Sequence, residues 1–309
     1  MADMNRTAVS LPAEVSGEIL QKTQEASAVM RLARRITLPG RGVVIPVITG
    51  DPSASWVAET GVKPVSNPQV TTKQMAAYKI AVIETFSEEF TRDAKALYDA
   101  LIARIPGALS KCFDATVLGA VQKPGTYFDN FANCQSQSLI ATSDHSVYDG
   151  LVAADTDIAT HGGTLSGFAL GAQARGLLLS AVDSTGRPLF VNNVSEGAIP
   201  RILGVPTYFN KGIYVQGTAP SGTGTSAVAG VAAIVGIAGD WTQAMYGTVE
   251  GVKISKTDQA TVTVGSGDSA TTINLWQQNM IAIRAEIEVG FRADTDCFNL
   301  LTGAVPSAA

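Results

Sequence analysis

The chain is 309 residues long, with 46% apolar and only 16% charged residues and a formal net charge of −5. Phosphate binding demands a clustered positive surface, so this balance argues against a nucleic-acid-binding protein of the ordinary kind. The length predicts two packed regions of roughly 100 to 200 residues each, and a charged fraction below the roughly 25% of average soluble domains suits a surface consumed largely by contacts.

Residues 1–10 lack the apolar core of a secretion signal. A first helix is predicted over 13–34, with Pro12 near its start and Val15, Ile19, Ala26, Met30 and Ala33 set among Gln, Lys and Glu. Arg31, Arg34 and Arg35 form a basic cluster near its end, for which a solvated helix face is the ordinary reading.

Residues 41–86 read as a long hairpin with a polar tip. Its outgoing arm, Gly42-Val43-Val44-Ile45-Pro46-Val47-Ile48-Thr49, is rich in β-branched residues; Gly50-Asp51-Pro52-Ser53 breaks its regularity, and Gly61 and Pro64 mark the tip. The return arm is expected over 78–86, where Tyr78, Ile80, Val82 and Phe86 alternate with Lys79, Ala81, Ile83 and Thr85. Both faces carry apolar side chains, and a lone two-stranded ribbon is marginal in water. The hairpin is therefore expected to lie against another surface, of its own domain or of a neighbouring subunit.

A helix follows, with Ser87 as N-cap and Glu88 and Glu89 in the first turn, where the exposed amides favour carboxylates. Phe90, Ala94, Leu97, Leu101 and Ile105 form its apolar stripe. Pro106-Gly107 predicts a kink or restart, after which Leu109, Cys112, Phe113 and Val117 resume the stripe and Gly119 ends it.

The middle, 148–264, reads as a mixed α/β unit. Residues 169–179 look helical, Asp183-Ser184-Thr185-Gly186 is a turn, and Leu189-Phe190-Val191 begins a strand-like run. Residues 217–230, rich in Gly, Ser, Thr and Ala, read as a mobile loop. The longest greasy run, 227–238, is too short to span a bilayer, so a soluble, intracellular protein is expected. Near the end, Ile281, Ile283, Ala285, Ile287, Val289 and Phe291 alternate strictly with Ala282, Arg284, Glu286, Glu288, Gly290 and Arg292, which predicts a long strand packed on the helix after Ser87. Cys112, Cys134 and Cys297 have neither paired nor metal-ligand spacing and read as reduced thiols, with no disulfide and no metal expected.

In its order of parts the chain resembles the major capsid proteins of tailed bacteriophages, whose fold is shared with encapsulins. The residues that carry the resemblance are Leu11-Pro12-Ala13-Glu14-Val15, Trp56-Val57-Ala58-Glu59-Thr60-Gly61 with Lys63-Pro64, Ser87-Glu88-Glu89-Phe90, Phe113-Asp114-Ala115, Ile202-Leu203-Gly204-Val205-Pro206, and Gly239-Asp240-Trp241 with Tyr246-Gly247. The resemblance implies an α+β fold with an N-terminal arm (1–40), an extended β-hairpin loop (41–86), a peripheral domain with a long spine helix and a sheet (87–147 and 265–309), and an inserted axial domain (148–264). It further implies self-assembly as hexamers and pentamers into an icosahedral shell around double-stranded DNA, in the virion, after synthesis in the host cytoplasm. A portal protein and separate scaffolding and decoration proteins would be the partners, and no membrane or cofactor is expected. The short stretch before the first helix fits the members whose scaffold is separate or absent. Trp56, Glu59, Lys63 and Tyr78 would then be inter-subunit contacts of the hairpin, while Arg31, Arg34 and Arg35 could face the packaged DNA.

Two other readings remain. An encapsulin-like shell would enclose a cargo enzyme, and a small hydrolase would use His145 and His161 beside Asp144, Asp155 and Asp157. No Gly-x-Ser-x-Gly elbow or His-Glu-x-x-His helix supports the hydrolase, and Gly222-Thr223-Gly224-Thr225-Ser226-Ala227 mimics a dinucleotide fingerprint without a basic residue to complete it. Some capsid proteins of the resembling family weld subunits by a lysine-to-asparagine isopeptide bond. Lys63 would be its lysine here, with Asn299 and Glu286 as possible partners, against the simpler reading of an exposed tip charge.

Overall fold

The computed structural model describes residues 27–307, except 41, 49–53, 58, 61, 64, 66–69, 94–101, 143–144, 183–186, 188, 191–200, 211, 222–227 and 266–269. The predicted helix start at 13–26 with Pro12, the breaks at 50–53 and at Gly61 and Pro64, the stripe residues Ala94, Leu97 and Leu101, Asp144, Asp183-Ser184-Thr185-Gly186, Val191 and 222–227 lie outside these residues.

Strand β14 (Met280–Ala293) organises one sheet, and its apolar alternation is that of the sequence: Ile281, Ile283, Ala285, Ile287, Val289 and Phe291 are all buried. β4 (Tyr78–Ser87) runs antiparallel along one edge of it, from Ser87 opposite Met280 to Tyr78 opposite Val289. The other edge is shared. β11 (Lys253–Thr257) covers 282–286 and β10 (Ala244–Thr248) covers 289–293, both antiparallel. β1 (Arg34–Thr37) adds to β10 in parallel.

Two expectations fail here. The predicted return arm of the hairpin is β4, which pairs with β14. The actual partner of β2 (Val43–Ile48) is β3 (Val70–Met75), so the hairpin closes earlier than its apolar pattern suggested. The first helix also stops short. α1 (Ala28–Leu32) ends where Ala33 turns extended, and Arg34 and Arg35 stand on β1, because pairing with β10 outweighs the helix propensity of arginine.

Ser87 caps α2 (Glu88–Asp93) as expected, its hydroxyl accepting the Phe90 N–H at 3.1 Å. The proline break also appears as a restart: α3 (Ile105–Val117) carries Pro106 in its first turn, where no hydrogen bond is lost. Leu109, Phe113 and Val117 are buried, but Cys112 is exposed and the stripe is completed by Ser110 and Asp114. Gly119 ends the segment at φ +82°; a Cβ there would fall 2.5 Å from that of Ala132.

A second, six-stranded sheet runs β5-β15-β9-β6-β8-β7, built from β5 (Gln135–Ser138), β6 (Gly167–Leu170), β7 (Arg201–Ile202), β8 (Val205–Phe209), β9 (Ile234–Gly239) and β15 (Phe298–Thr302). α4 (Val147–Thr160), with a Ser146–Asp149 capping box, and α5 (Ala172–Leu179) pack on it. The run expected to be helical over 169–179 divides at Gly171, its first residues being buried on β6. Leu189 and Phe190 form a bend instead of a strand. Around the predicted loop, bridges Thr218–Val231 and Ser221–Val228 draw its described flanks into a narrow ladder. β12 (Thr261–Val264) and β13 (Thr271–Asn274) form a separate hairpin.

Pairing crosses the predicted segment boundaries. β10 and β11, from 148–264, belong with β14, whereas β5 and β15, from 87–147 and 265–309, belong with β9. The two sheets meet at an aromatic cluster in which Phe131 lies 5.6 Å from Phe291 and 4.5 Å from Phe298, and Trp241 stacks edge-on against Phe298.

Candidate assembly interface

The hairpin loop presents apolar side chains that nothing among the described residues covers. Trp56 is 104% exposed, Val62 96% and Val65 88%, and Glu59 and Lys63 are exposed beside them. At the root the opposite holds. Met75 is fully buried, the Arg292 Nε–H donates to the Gln74 carbonyl at 2.7 Å, and Lys73 Nζ donates to the Ala293 carbonyl at 3.3 Å. Arg292 is itself fixed by Asp129 at 2.5 Å. A firmly rooted ribbon thus carries an apolar tip into solvent.

Tyr78 does not share that exposure. Its ring meets Phe128 edge-on at 6.1 Å and its hydroxyl accepts the Tyr127 N–H at 3.3 Å, so it packs inside its own chain at the start of β4. Beside it, between β4 and α3, lies a cavity of about 320 Å³ lined by Ile80, Cys112, Phe113, Val121, Phe128 and Val289 among others.

The basic cluster is spread over two elements. Arg31 stacks on the Tyr208 ring at 4.6 Å, Arg34 is exposed on β1, and Arg35 donates to the Thr248 hydroxyl at 3.5 Å.

Asp114, named in the sequence only within the Phe113-Asp114-Ala115 stretch of the resemblance, has a role that the stretch did not disclose. It is fully buried on α3, accepts from the Ser27 hydroxyl at 2.5 Å and from the Ala28 N–H at 3.2 Å, and burial pushes its pKa up to about 7 against those hydrogen bonds. The available signal was a carboxylate one position beyond Phe113, on the edge of an apolar stripe.

The groups a hydrolase would need do not converge. His145 and His161 flank α4 at opposite ends, roughly 20 Å apart at 1.5 Å rise per residue, and bond to the carbonyls of Ser138 and Asp157. Burial pushes the Cys134 thiol up to about 12 and the Cys297 thiol to about 11, away from the reactive thiolate. Among the described residues no group of three His, Cys, Asp or Glu side chains could hold a metal, and no helix is long and apolar enough to cross a membrane. Both possible isopeptide partners are engaged within the subunit. Asn299 is buried on β15, its amide donating to Asp157 at 2.8 Å, and Glu286 is shared between Lys79 and Arg284.

An exposed apolar tip on a ribbon anchored at its root, beside two main sheets, is the surface this chain offers to a neighbour. The chain belongs to the Phage capsid family, whose model matches residues 7–296. It is 28% identical over 303 residues to the probable major capsid protein gp17 of Mycobacterium phage D29, covering 96% of this chain and 90% of that one. Its identity to the gp17 of Mycobacterium phage L5 is 29% over 308 residues, covering 94% and 89%. The fold is that of tailed-phage capsid structures. A chain from Gordonia phage Cozz superposes with a TM-score of 0.70 at 24% identity, covering 91% of this chain and 87% of that one, and one from Mycobacterium phage Adephagia with 0.70 at 19%, covering 92% of each. The protein is a structural capsid protein, a subunit of the phage shell, and an encapsulin-like or hydrolase reading is not favoured.

Proposed function

We propose that this chain polymerises as hexamers and pentamers into an icosahedral shell enclosing double-stranded DNA, and that its action is wholly geometric, with no chemical step. The observation that carries the reading is the exposed apolar hairpin tip on a pinned root: burying Trp56, Val62 and Val65 against a neighbour removes apolar surface from water that no part of the described chain covers. Glu59 and Lys63 add polar contacts at the rim of that interface, while Tyr78, packed on Phe128, fixes the start of β4 near the hairpin root. Many such contacts per subunit sum to a stable shell, as multivalent links do.

In this reading the predicted arm of 1–40 reaches another subunit through its part before Ser27, since α1 and β1 are built into the subunit's own core and sheet. The hairpin of β2 and β3 extends across a neighbour, β4 stays in its own sheet, and the remaining segments form the peripheral and axial regions. Strand exchange makes those two regions interleave in sequence. Arg31, Arg34 and Arg35 lie on the DNA side and act by charge alone, without reading sequence. A portal protein occupies one vertex, scaffolding and decoration are separate proteins, and assembly takes place in the host cytoplasm. Particles purified from infected cells and treated with nuclease should retain double-stranded DNA. Particles holding a protein cargo and no nucleic acid would contradict the reading.

A further inference from the structure

The described surface holds both halves of a contact. The peg is Trp56, wholly exposed, with Val62 and Val65 near it; the socket is the cavity between β4 and α3, walled by Ile80, Phe113, Val121 and Phe128. At ~30 Å³ per water the 320 Å³ socket has space for roughly ten waters, enough for an indole and its methylene. Lys79 at the socket is already paired with Glu286 and Glu288, and the tip carries Lys63 as well as Glu59, so the match rests on shape and apolar surface.

One chain does not join its own halves. The socket begins at Tyr78, next to the root of the hairpin, and the ladder from Val43–Met75 to Ile48–Val70 carries the loop roughly 17 Å from that root at about 3.3 Å per residue. Peg and socket are different surfaces, so copies joined through them are related head to tail, an arrangement that closes into rings when the rotation permits. Resting on the shell reading above, we propose that Trp56 of one copy seats in the cavity between β4 and α3 of a neighbouring copy. The contact makes the socket an inter-subunit site and sets the direction in which copies follow one another around a ring.

Cys112 supplies the probe, because it is exposed and lines the socket. In the wild-type protein, maleimide labelling of Cys112, located by peptide mass, should fall roughly tenfold or more between free subunits and assembled particles. Particles of Val57→Cys, which keeps Trp56, should give a ladder of covalent multimers on a non-reducing denaturing gel after diamide oxidation, and Val57→Cys/Cys112→Ser should give none. Unchanged Cys112 labelling in intact particles, or no ladder from Val57→Cys, overturns the pairing while leaving the shell reading in place. A ladder from Trp276→Cys instead, Trp276 being the other exposed indole at 69%, assigns the socket to a different peg and equally overturns it. Wild-type protein that forms neither particles nor rings overturns both readings.

Discussion

The Ser27 hydroxyl donates to the Asp114 carboxylate at 2.5 Å, joining two residues 87 positions apart in sequence. The same hydroxyl accepts the Met30 N–H at 3.0 Å and so caps α1, while the second carboxylate oxygen takes the Ala28 N–H. One buried side chain on α3 therefore holds the start of the described chain. Asp114→Ala leaves the Ser27 hydroxyl and the Ala28 N–H without an acceptor, and should destabilise the subunit by about 1–3 kcal/mol in a denaturant titration.

The same group sets a pH dependence. Burial raises the folded-state pKa of Asp114 from 3.8 to about 7, so between these values the folded chain holds a proton that the unfolded chain has released. Its contribution to stability is full below about pH 4, falls as pH rises toward 7, and is level above. Thermal midpoints of wild type measured relative to Asp114→Asn should decline across that window and then flatten. A difference that stays constant from pH 5 to 8 would show that the buried carboxyl does not titrate there.

The aromatic junction should be the least tolerant part of the fold. Phe291 lies within 6.1 Å, centroid to centroid, of Phe113, Phe128 and Phe131 and is fully buried between the sheets. Phe291→Ala should cost about 3–5 kcal/mol, read as a lowered denaturant midpoint.

Trp56→Ala should act on assembly alone. The indole touches solvent on all sides, so circular dichroism and thermal unfolding of the free subunit should match wild type, while each inter-subunit contact weakens by the roughly 2–4 kcal/mol expected of an interface anchor, read as lost particle yield. Normal particle yield would remove Trp56 from the interface.

Lys63→Ala should leave the pattern of denatured species on a gel unchanged. The tip lysine is exposed, and Asn299 is held inside the six-stranded sheet by Asp157 and Ala154. New loss of high-mass bands in the variant would establish a covalent link.

What the sequence disclosed follows from the range of the forces involved. Local signals were plain: the period of two along β14, the Ser87 cap and the restart at Pro106 all depend on neighbours a few residues away. Long-range pairing was not. β3, Val70-Thr71-Thr72-Lys73-Gln74-Met75, has apolar residues only at its two ends and offers no apolar period, so the pattern points to the apolar strand β4 as the hairpin's second arm although the partner of β4 lies some 200 residues on. β6 is buried on both faces, and its continuous apolar run merged with the helix that follows. The exposed tip was legible from Trp56 and its turn residues, whereas the socket was not, because β4, α3 and the 121–128 segment form it only when folded together.

Mass and shape of the purified protein, by light scattering with negative-stain microscopy, test the central claim most directly. A shell subunit should give closed shells, or free hexamers and pentamers that convert to them. A compact monomer or dimer persisting across protein concentration, salt and pH would contradict it.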